Sequence, residues 1–555
     1  MTTIALLPAP ADIGLPEKFD QWRKGQAEAV LRVMDTDKRF IVLGMPTGFG
    51  KSLAYMAAGV LGDPTVFLTS TKGLQSQLVE DFSESGLVDI RGMGNYPCRE
   101  ANDGIFTVRD KPVLASCDEG PCLAGWKCPY AEDGCHYFDS RRLAATSPLT
   151  VTNYSYWMSI NGGERKDDRA AFPLGQRGRL VLDEAHAAVD ELGGYLAIEV
   201  GYWEIEGVLG RGWPSTSVME EWRTWAGTLA QECVRKVEQL SSEIRMGVAN
   251  NRKGLSRFRE LKDLGRRLFA IAGMKGEWVN EESRDRRGRR VVRFDPVWPG
   301  SYSETALFLN IPKVVLTSAT IRPKTLDLLG VKPNEYEFIE YPSSFPVSNR
   351  TVVWVPTVRV RYDMDPGHTR QWVAKIDAII RNRLDRKGVI HTVSYSRRDY
   401  IFKYSEFANR MLSHDAGGLQ DCVRRFRESG PGTLLVSPSA GTGFDFPGDD
   451  CRYQIIGKVP FPDSRSKVLQ ARQERDKDFF AYVAAQSIVQ MAGRGVRSVD
   501  DWCETFIIDD NWQWFINKYK GFMPRWFTAA CRKSTMVPEP AKLARAIPLT
   551  RRQSL

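Results

Sequence analysis

Short apolar runs recur along this chain, and each ends in polar or glycine residues. Phe40-Ile-Val-Leu43 leads into a glycine-broken loop, and Thr65-Val-Phe-Leu68 leads into Thr69-Ser-Thr71. Leu149-Thr-Val-Thr152, Leu180-Val-Leu182 and Lys313-Val-Val-Leu-Thr317 follow the same plan. Runs of this length with polar punctuation read as buried strands. Between the early ones the spacing turns helical, over Trp22 to Val33 and again from Lys51 through Leu53-Ala-Tyr-Met-Ala-Ala-Gly59. Strand and helix in alternation predict βαβ units on a parallel sheet. A second series starts after Tyr341-Pro-Ser-Ser-Phe-Pro346. Its strands are expected at Thr351 to Trp354, Gly388 to Thr392, Thr433 to Ser437 and Tyr453 to Gly457. The expected fold class is α/β, with two parallel-sheet domains.

Two stretches break the alternation. Between Cys98 and Cys135 the chain is rich in Gly, Pro and charge, and could hardly bury a core of its own. Between about Leu192 and Asn310 it is charged and Trp-rich. Trp203 to Met274 is helical in pattern, and a short β excursion is expected near Val291 to Phe294. The run Arg284-Asp-Arg-Arg-Gly-Arg-Arg290 reads either as a contact for nucleic-acid backbone or as a solvated hairpin.

Composition narrows the class. A chain of 555 residues is too long for one core, so about three to four domains are expected. No run of 18 or more apolar residues occurs, so no membrane span and no membrane partner is expected. Met1-Thr-Thr-Ile-Ala-Leu-Leu-Pro8 has no basic stretch ahead of its short apolar run, which does not read as a secretory signal and leaves a cytoplasmic location. The charge balance of 77 minus 68, or +9, permits nucleic-acid binding without requiring it. Five of the ten cysteines lie between Cys98 and Cys135. In a large cytosolic chain such clustering points to ligands rather than disulfides. Four thiolates suit zinc or an iron–sulfur cluster. Paired Cys-x-x-Cys spacing is missing, which argues against a zinc ribbon.

The chemistry concentrates at strand ends. Met45-Pro46-Thr47-Gly48-Phe49-Gly50-Lys51-Ser52 sits between a strand and a helix, the context of a phosphate-binding loop. Gly48 and Gly50 let backbone N–H groups close around phosphate oxygens, and the helix presents its positive end to them. Lys51 can reach the β and γ phosphates of ATP, and Ser52 can ligate Mg2+. Asp183-Glu-Ala-His186 closes another strand. Asp183 can hold magnesium, Glu184 can orient the attacking water, and His186 can report nucleotide state. Thr317-Ser-Ala-Thr320 can link that carboxylate pair to bound nucleic acid. Thr69, Thr71 and Gln75 could touch a nucleic-acid phosphate, with helix capping as the plainer reading. Far downstream, Arg494 and Arg497 are spaced three apart on an expected helical turn, where their planar forks suit phosphate. Asp445 is the one carboxylate of the loop Ser439 to Pro447.

Together these residues resemble the DinG/XPD-type iron–sulfur DNA helicases of superfamily 2. The matches run in order over nearly the whole chain: Gln26, Met45 to Ser52, Thr69 to Leu78, the cysteine block, Thr152-Asn-Tyr154, Asp183 to His186, Thr317 to Thr320, Ser343-Ser-Phe-Pro346, Gly443 to Gly448, Val459-Pro-Phe-Pro462 and Gln490 to Arg497. The first glycine of the general phosphate-loop pattern is replaced by Met45. The loop is closer to the helicase variant Ala-x-Thr-Gly-x-Gly-Lys-Thr.

The resemblance implies two RecA-like motor domains, the first carrying a cysteine-rich insertion and a mainly helical arch. The expected boundaries are motor domain 1 at 1–92, 146–191 and 311–340, and the cluster insertion at 93–145. The arch-like insertion spans 192–310, motor domain 2 spans 341–536, and a loose tail spans 537–555. The resemblance also implies ATP, Mg2+ and a 4Fe-4S cluster. Cys98, Cys122, Cys128 and Cys135 are the implied ligands; Cys117 is a spare that could replace one of them. Gln26, with Arg23, would read adenine. Pro46 to Ser52, His186, Asp445 and Gln490 would line the nucleotide, and Lys51, Asp183, Glu184, Arg494 and Arg497 would carry hydrolysis. The implied activity is 5′ to 3′ translocation on single-stranded and forked DNA with duplex unwinding, by a monomer, in DNA repair or replication. A nucleoid association follows if the source is bacterial. A translocase or remodelling protein without unwinding, and an RNA helicase, remain alternatives.

Overall fold

The structure is a computed structural model. It describes residues 7–102, 107–108, 111–112, 115–120, 122, 128–162, 173–216, 218–246, 252–441 and 443–540. The chain forms two compact units. One gathers the residues up to Gly44 with Gly50–Glu340 and Asp463–Lys477. The other gathers Met45–Phe49, Tyr341–Pro462 and the residues from Asp478 onward.

In the first unit, helix α1 (Gln26–Asp35) precedes strand β1 (Phe40–Gly44), and α2 (Lys51–Val60) follows it. Helix α1 starts four residues later than its apolar spacing predicts. The residue before it, Gly25, has φ 87°, a left-handed conformation that ends any helix running through it. Strand β2 (Thr65–Thr69) leads to α3 (Lys72–Phe82), and β3 (Leu87–Asp89) follows. The Thr71 hydroxyl accepts the Leu74 N–H and caps α3, so capping is its role here. Helix α4 (His136–Thr146), β4 (Leu149–Asn153), α5 (Tyr154–Asn161) and β5 (Arg179–Asp183) come next, and α6 (Ala188–Leu196) leaves the Asp-Glu-Ala-His segment.

The inserted region then begins with β6 (Ile198–Gly201) and α7 (Tyr202–Leu209). The long helices α8 (Met219–Arg245) and α9 (Arg252–Ala272) follow, and a hairpin of β7 (Trp278–Arg284) and β8 (Arg290–Pro296) closes the region. Its β content exceeds the expected excursion, because β6 pairs antiparallel with β8 to make a three-stranded sheet. The apolar faces of α8 and α9 bury Trp222, Leu229, Leu264 and Leu268 against Val292 and Phe294 of that sheet. The basic run folds into the hairpin turn. Arg289 pairs with Asp285 and stacks 3.6 Å over the Trp203 ring, and Arg290 pairs with Glu282. Much of that charge is spent within the protein.

The chain returns to the first sheet with β9 (Lys313–Ser318) and β10 (Tyr336–Glu340). The sheet is seven-stranded among the described residues, in the order β10-β1-β9-β5-β2-β4-β3, with every pairing parallel. Register decides what the carboxyl edge presents. Gly44 lies opposite Ser318, and Thr317 lies opposite both Leu43 and Asp183. Three chemically marked segments therefore end side by side.

The second unit is built on β11 (Val352–Trp354), β12 (Gly388–His391), β13 (Met411–Leu412), β14 (Leu434–Ser437), β15 (Tyr453–Ile456), β16 (Glu504–Ile507) and β17 (Cys531–Lys533). Their order is β13-β14-β12-β15-β16-β11-β17, again all parallel. The two-residue β13 and the polar edge strand β17 carry too little apolar pattern to read from sequence. Helix α10 (Pro366–Arg381) buries Trp372, Ile376 and Ile380 on one face of the sheet.

Asp463–Lys477, expected within the second motor domain, packs in the first unit. Its helix α11 (Lys467–Arg475) lies against β7 and β8, and buried Arg472 donates to the Val297 carbonyl at 2.7 Å. Helix α12 (Phe479–Ala492) ends at Gly493. Arg494 and Arg497 therefore lie beyond the helix, which corrects the expected helical turn. Of the expected tail, Val537 packs on the core of the second unit and the Pro538 carbonyl accepts from buried Arg383. Residues 541–555 lie outside the described residues.

Candidate functional site

The loop after β1 owes its path to its glycines. Gly48 (φ 77°) and Gly50 (φ 79°) are both left-handed. A Cβ on Gly50 would stand 2.3 Å from Gln26 Nε2. That amide donates to the Gly50 carbonyl at 3.1 Å, and Gln26 Oε1 accepts the Arg23 N–H at 2.7 Å. Gln26 is buried and fastened to the loop at the mouth of α2.

Lys51, first residue of α2, places Nζ 3.0 Å from Glu184 Oε1. Glu184 itself has φ 48° and ψ 44°, a left-handed backbone that a non-glycine residue adopts at some cost. The turn aims its side chain back along the sheet edge. Glu184 Oε2 lies 3.2 Å from His186 Nδ1, and His186 Nδ1 lies 2.7 Å from Ser318 Oγ. Ser318 Oγ also reaches Glu184 Oε2 at 3.4 Å and accepts the Thr320 N–H at 3.1 Å. Lys51, Glu184, His186 and the Thr317–Thr320 segment are thus one connected network.

Burial works to raise Glu184, but Lys51 and His186 outweigh it and hold the carboxyl well below the usual range. Asp183 responds the other way. Burial and the neighbouring Glu184 charge push it up to about 6, against Lys51, the Glu184 N–H and the Tyr55 phenol. Asp183 Oδ1 accepts that N–H at 3.0 Å, and Oδ2 accepts from Tyr55 Oη at 3.3 Å. The Asp183 backbone carbonyl accepts from Tyr154 Oη at 2.9 Å. A carboxylate and the Ser52 hydroxyl at one sheet edge are hard oxygen donors, and fit magnesium. The motif reading missed Tyr55. Its signal is its place one helical turn after Ser52.

In the second unit, Asp445 collects the two arginines. Arg494 Nη1 donates to Asp445 Oδ1 at 3.0 Å, and Arg497 Nη2 reaches the same oxygen. Arg494 Nε also donates to the Gly441 carbonyl at 3.2 Å. The carboxylate expected to line nucleotide is thus the arginines' own partner. Gln490 lies on α12, ahead of both.

All five clustered cysteines line one small cavity of about 10 Å³, together with Arg99, Glu100 and Tyr130. The Pro97–Ser116 bridge sets Cys98 beside Cys117. Burial and the neighbouring thiols push Cys117 up to about 12. Among the described residues no group of three or more His, Cys, Asp or Glu is arranged to hold a metal ion. The donor set itself, thiol sulfur converging from five positions, has the chemistry of an iron–sulfur site. A larger cavity of about 570 Å³ opens at the carboxyl ends of β2 and β4. Lys72, Asn95, Asn153, Ser155 and Tyr156 are among its lining residues. No helix among the described residues is long and apolar enough to cross a membrane.

Comparison with known proteins agrees with this architecture. A family profile described as Helicase C-terminal domain matches residues 381–530. The ATP-dependent DNA helicase DinG of Escherichia coli K12 is 23% identical over 270 residues, covering 44% of this chain and 37% of its own length. A probable ATP-dependent helicase of Methanocaldococcus jannaschii, MJ0942, is 20% identical over 92% of this chain and 95% of its own length. Among solved structures, an XPD helicase superposes with a TM-score of 0.57 at 14% identity, covering 96% of this chain and all of that one. Xpd4 of S. tokodaii gives 0.55 at 13%, covering 92% and 100%. The two parallel-sheet units are RecA-like α/β domains, and the chain is similar to DinG- and XPD-type helicases without matching a family model over most of its length.

Proposed function

We propose that this protein is an ATP-driven DNA helicase that moves 5′ to 3′ on single-stranded DNA. The observation that carries the reading is the connected set Lys51, Glu184, His186 and Ser318 at the carboxyl edge of the first sheet. Open α/β sheets bind ligands at that edge.

The roles follow from the chemistry of each group. The backbone of Pro46 to Gly50 cradles phosphate, with Thr47 and Phe49 in the loop, and Gln26 serves the base. Lys51 leaves Glu184 to meet the β and γ phosphates. Ser52 and Asp183 hold magnesium, which neutralises phosphate charge when bound. Losing its cation raises the basicity of Glu184 just as water must be oriented and deprotonated. His186 and Ser318 sense that change through Glu184 Oε2. Arg494 and Arg497, released from Asp445, stabilise charge developing on the γ-phosphate. Gln490 lies close to them in sequence and contributes to the same nucleotide contacts.

Four of the five cavity thiols would hold a 4Fe-4S cluster, with Cys98, Cys122, Cys128 and Cys135 as the proposed set and Cys117 as the alternate. A bound cluster would staple an insertion that lacks a core of its own. Single-stranded and forked DNA are the proposed partners, and the cavity at Lys72 and Asn95 offers polar groups along the strand's path.

Two duplexes with ATP test this, one with a 5′ and one with a 3′ single-stranded tail. Opening of only the 5′-tailed duplex is expected. Opening of only the 3′-tailed one would reverse the polarity. DNA-stimulated ATP hydrolysis without opening would make the protein a translocase, and opening of matching tailed RNA duplexes run beside the DNA ones, with neither DNA duplex opened, would make it an RNA helicase.

A further inference from the structure

We infer that Tyr55 is a positioning residue that sets the magnesium-binding pair, Ser52 and Asp183. The inference rests on the ATP-hydrolysis reading above. Ser52 and Asp183 are 131 positions apart and lie on different elements, so something must hold their oxygens in register. Tyr55 does this from one turn further along α2. Its phenol donates to Asp183 Oδ2 at 3.3 Å, and so ties the helix that carries Ser52 in its first turn to the carboxylate at the end of β5. The ring is fully buried and packs against Phe67 of β2, with centroids 5.7 Å apart. A buried aromatic ring has little freedom, so its hydroxyl is a fixed point.

The other oxygen of Asp183 is already oriented, because Oδ1 accepts the Glu184 N–H at 3.0 Å. With both oxygens held, the carboxylate keeps one rotation about its Cβ–Cγ bond. Without the phenol, Oδ2 must find its own orientation each time an ion binds, and affinity falls.

The test uses the full chain and Mn2+ as a paramagnetic stand-in for Mg2+. Free Mn2+ is titrated by EPR in the presence of ADP, for wild type and Tyr55→Phe. The substitution removes one oxygen and keeps the ring on Phe67, and thermal unfolding checks that the fold survives. The Mn2+ dissociation constant should rise on the order of tenfold, as expected for losing a hydrogen bond to a charged group. Nucleotide affinity without metal should stay within about twofold. An unchanged Mn2+ constant, with or without a lower unfolding temperature, would make Tyr55 a packing residue and overturn the inference. Wild type that binds no Mn2+ with ADP would instead overturn the hydrolysis reading beneath it. Should Tyr55→Phe fail to fold, Tyr55→Met keeps a buried apolar side chain, and the same rise is required of it.

Discussion

Lys51 Nζ lies 3.0 Å from Glu184 Oε1, so the cation proposed to hold phosphate neutralises the carboxylate proposed to orient water. The pair is about a fifth exposed, with 17% and 27% of the two side chains open to solvent. Lys51→Ala removes both the phosphate ligand and the cation beside Glu184. ATP turnover should fall on the order of 10³-fold, as for loss of a charged group that stabilises the transition state. A coupled phosphate-release assay checks this, and turnover within tenfold of wild type would remove the loop from the mechanism.

Glu184→Gln keeps the shape of the side chain and removes the charge. ATP should still bind, since the loop backbone and Lys51 remain. Hydrolysis should fall about 10²- to 10⁴-fold, the usual worth of a general base. Fluorescent-nucleotide binding measured beside turnover separates the two, and loss of binding would show that Glu184 is needed for the fold of the site.

Arg494 and Arg497 meet at one oxygen of Asp445. If both act on the γ-phosphate, Arg494→Ala and Arg497→Ala should each lower kcat on the order of 10³-fold while changing nucleotide affinity only a few-fold. Asp445→Ala should cost less, because it removes the resting partner of the arginines and not the arginines. A larger loss in Asp445→Ala than in either arginine variant would assign the carboxylate a direct role.

Five thiols share one cavity. Protein purified anaerobically should be yellow-brown, with iron and acid-labile sulfide in equal amounts. Cys98→Ser and Cys135→Ser should each lose the colour, whereas Cys117→Ser should keep it. A colourless protein with one zinc would replace the cluster by a zinc site.

His391 is buried at the end of β12, with Nε2 3.2 Å from Gln454 Oε1. Burial lowers its pKa from 6.5 to about 4, with the Arg494 charge adding to that and the Gln454 hydrogen bond opposing it. The folded state resists the proton that the unfolded chain takes up. The stability from neutral His391 is therefore complete above about pH 6.5 and declines as pH falls from there toward 4, by about 3 kcal/mol in all. Urea unfolding at pH 7 and pH 4.5 should show this decline, and His391→Asn should flatten it by about one proton.

Much of the α/β character was legible because buried parallel strands are continuous apolar runs. Strands such as Phe40–Gly44, Arg179–Asp183 and Lys313–Ser318 stand where those runs predict them. Elements with weak pattern escaped. Tyr336–Glu340 (Tyr-Glu-Phe-Ile-Glu) is neither a continuous apolar run nor a strict alternation, and Ile198–Gly201 is four residues long. Helix α11 carried no sign of its destination, because a charged nine-residue helix can dock on either unit.

The sequence by itself determined which segments end in chemistry. Glycines at 48 and 50, Lys51, the Asp183–Glu184 pair and the clustered cysteines are local facts, set by backbone freedom and side-chain type. Only the tertiary structure decided who meets whom. It paired Lys51 with Glu184, tied both arginines to Asp445 and set the Tyr55 phenol on Asp183. Those pairings join residues from about fifty to more than a hundred positions apart, and they depend on strand order and register. Neither leaves a local trace in the chain.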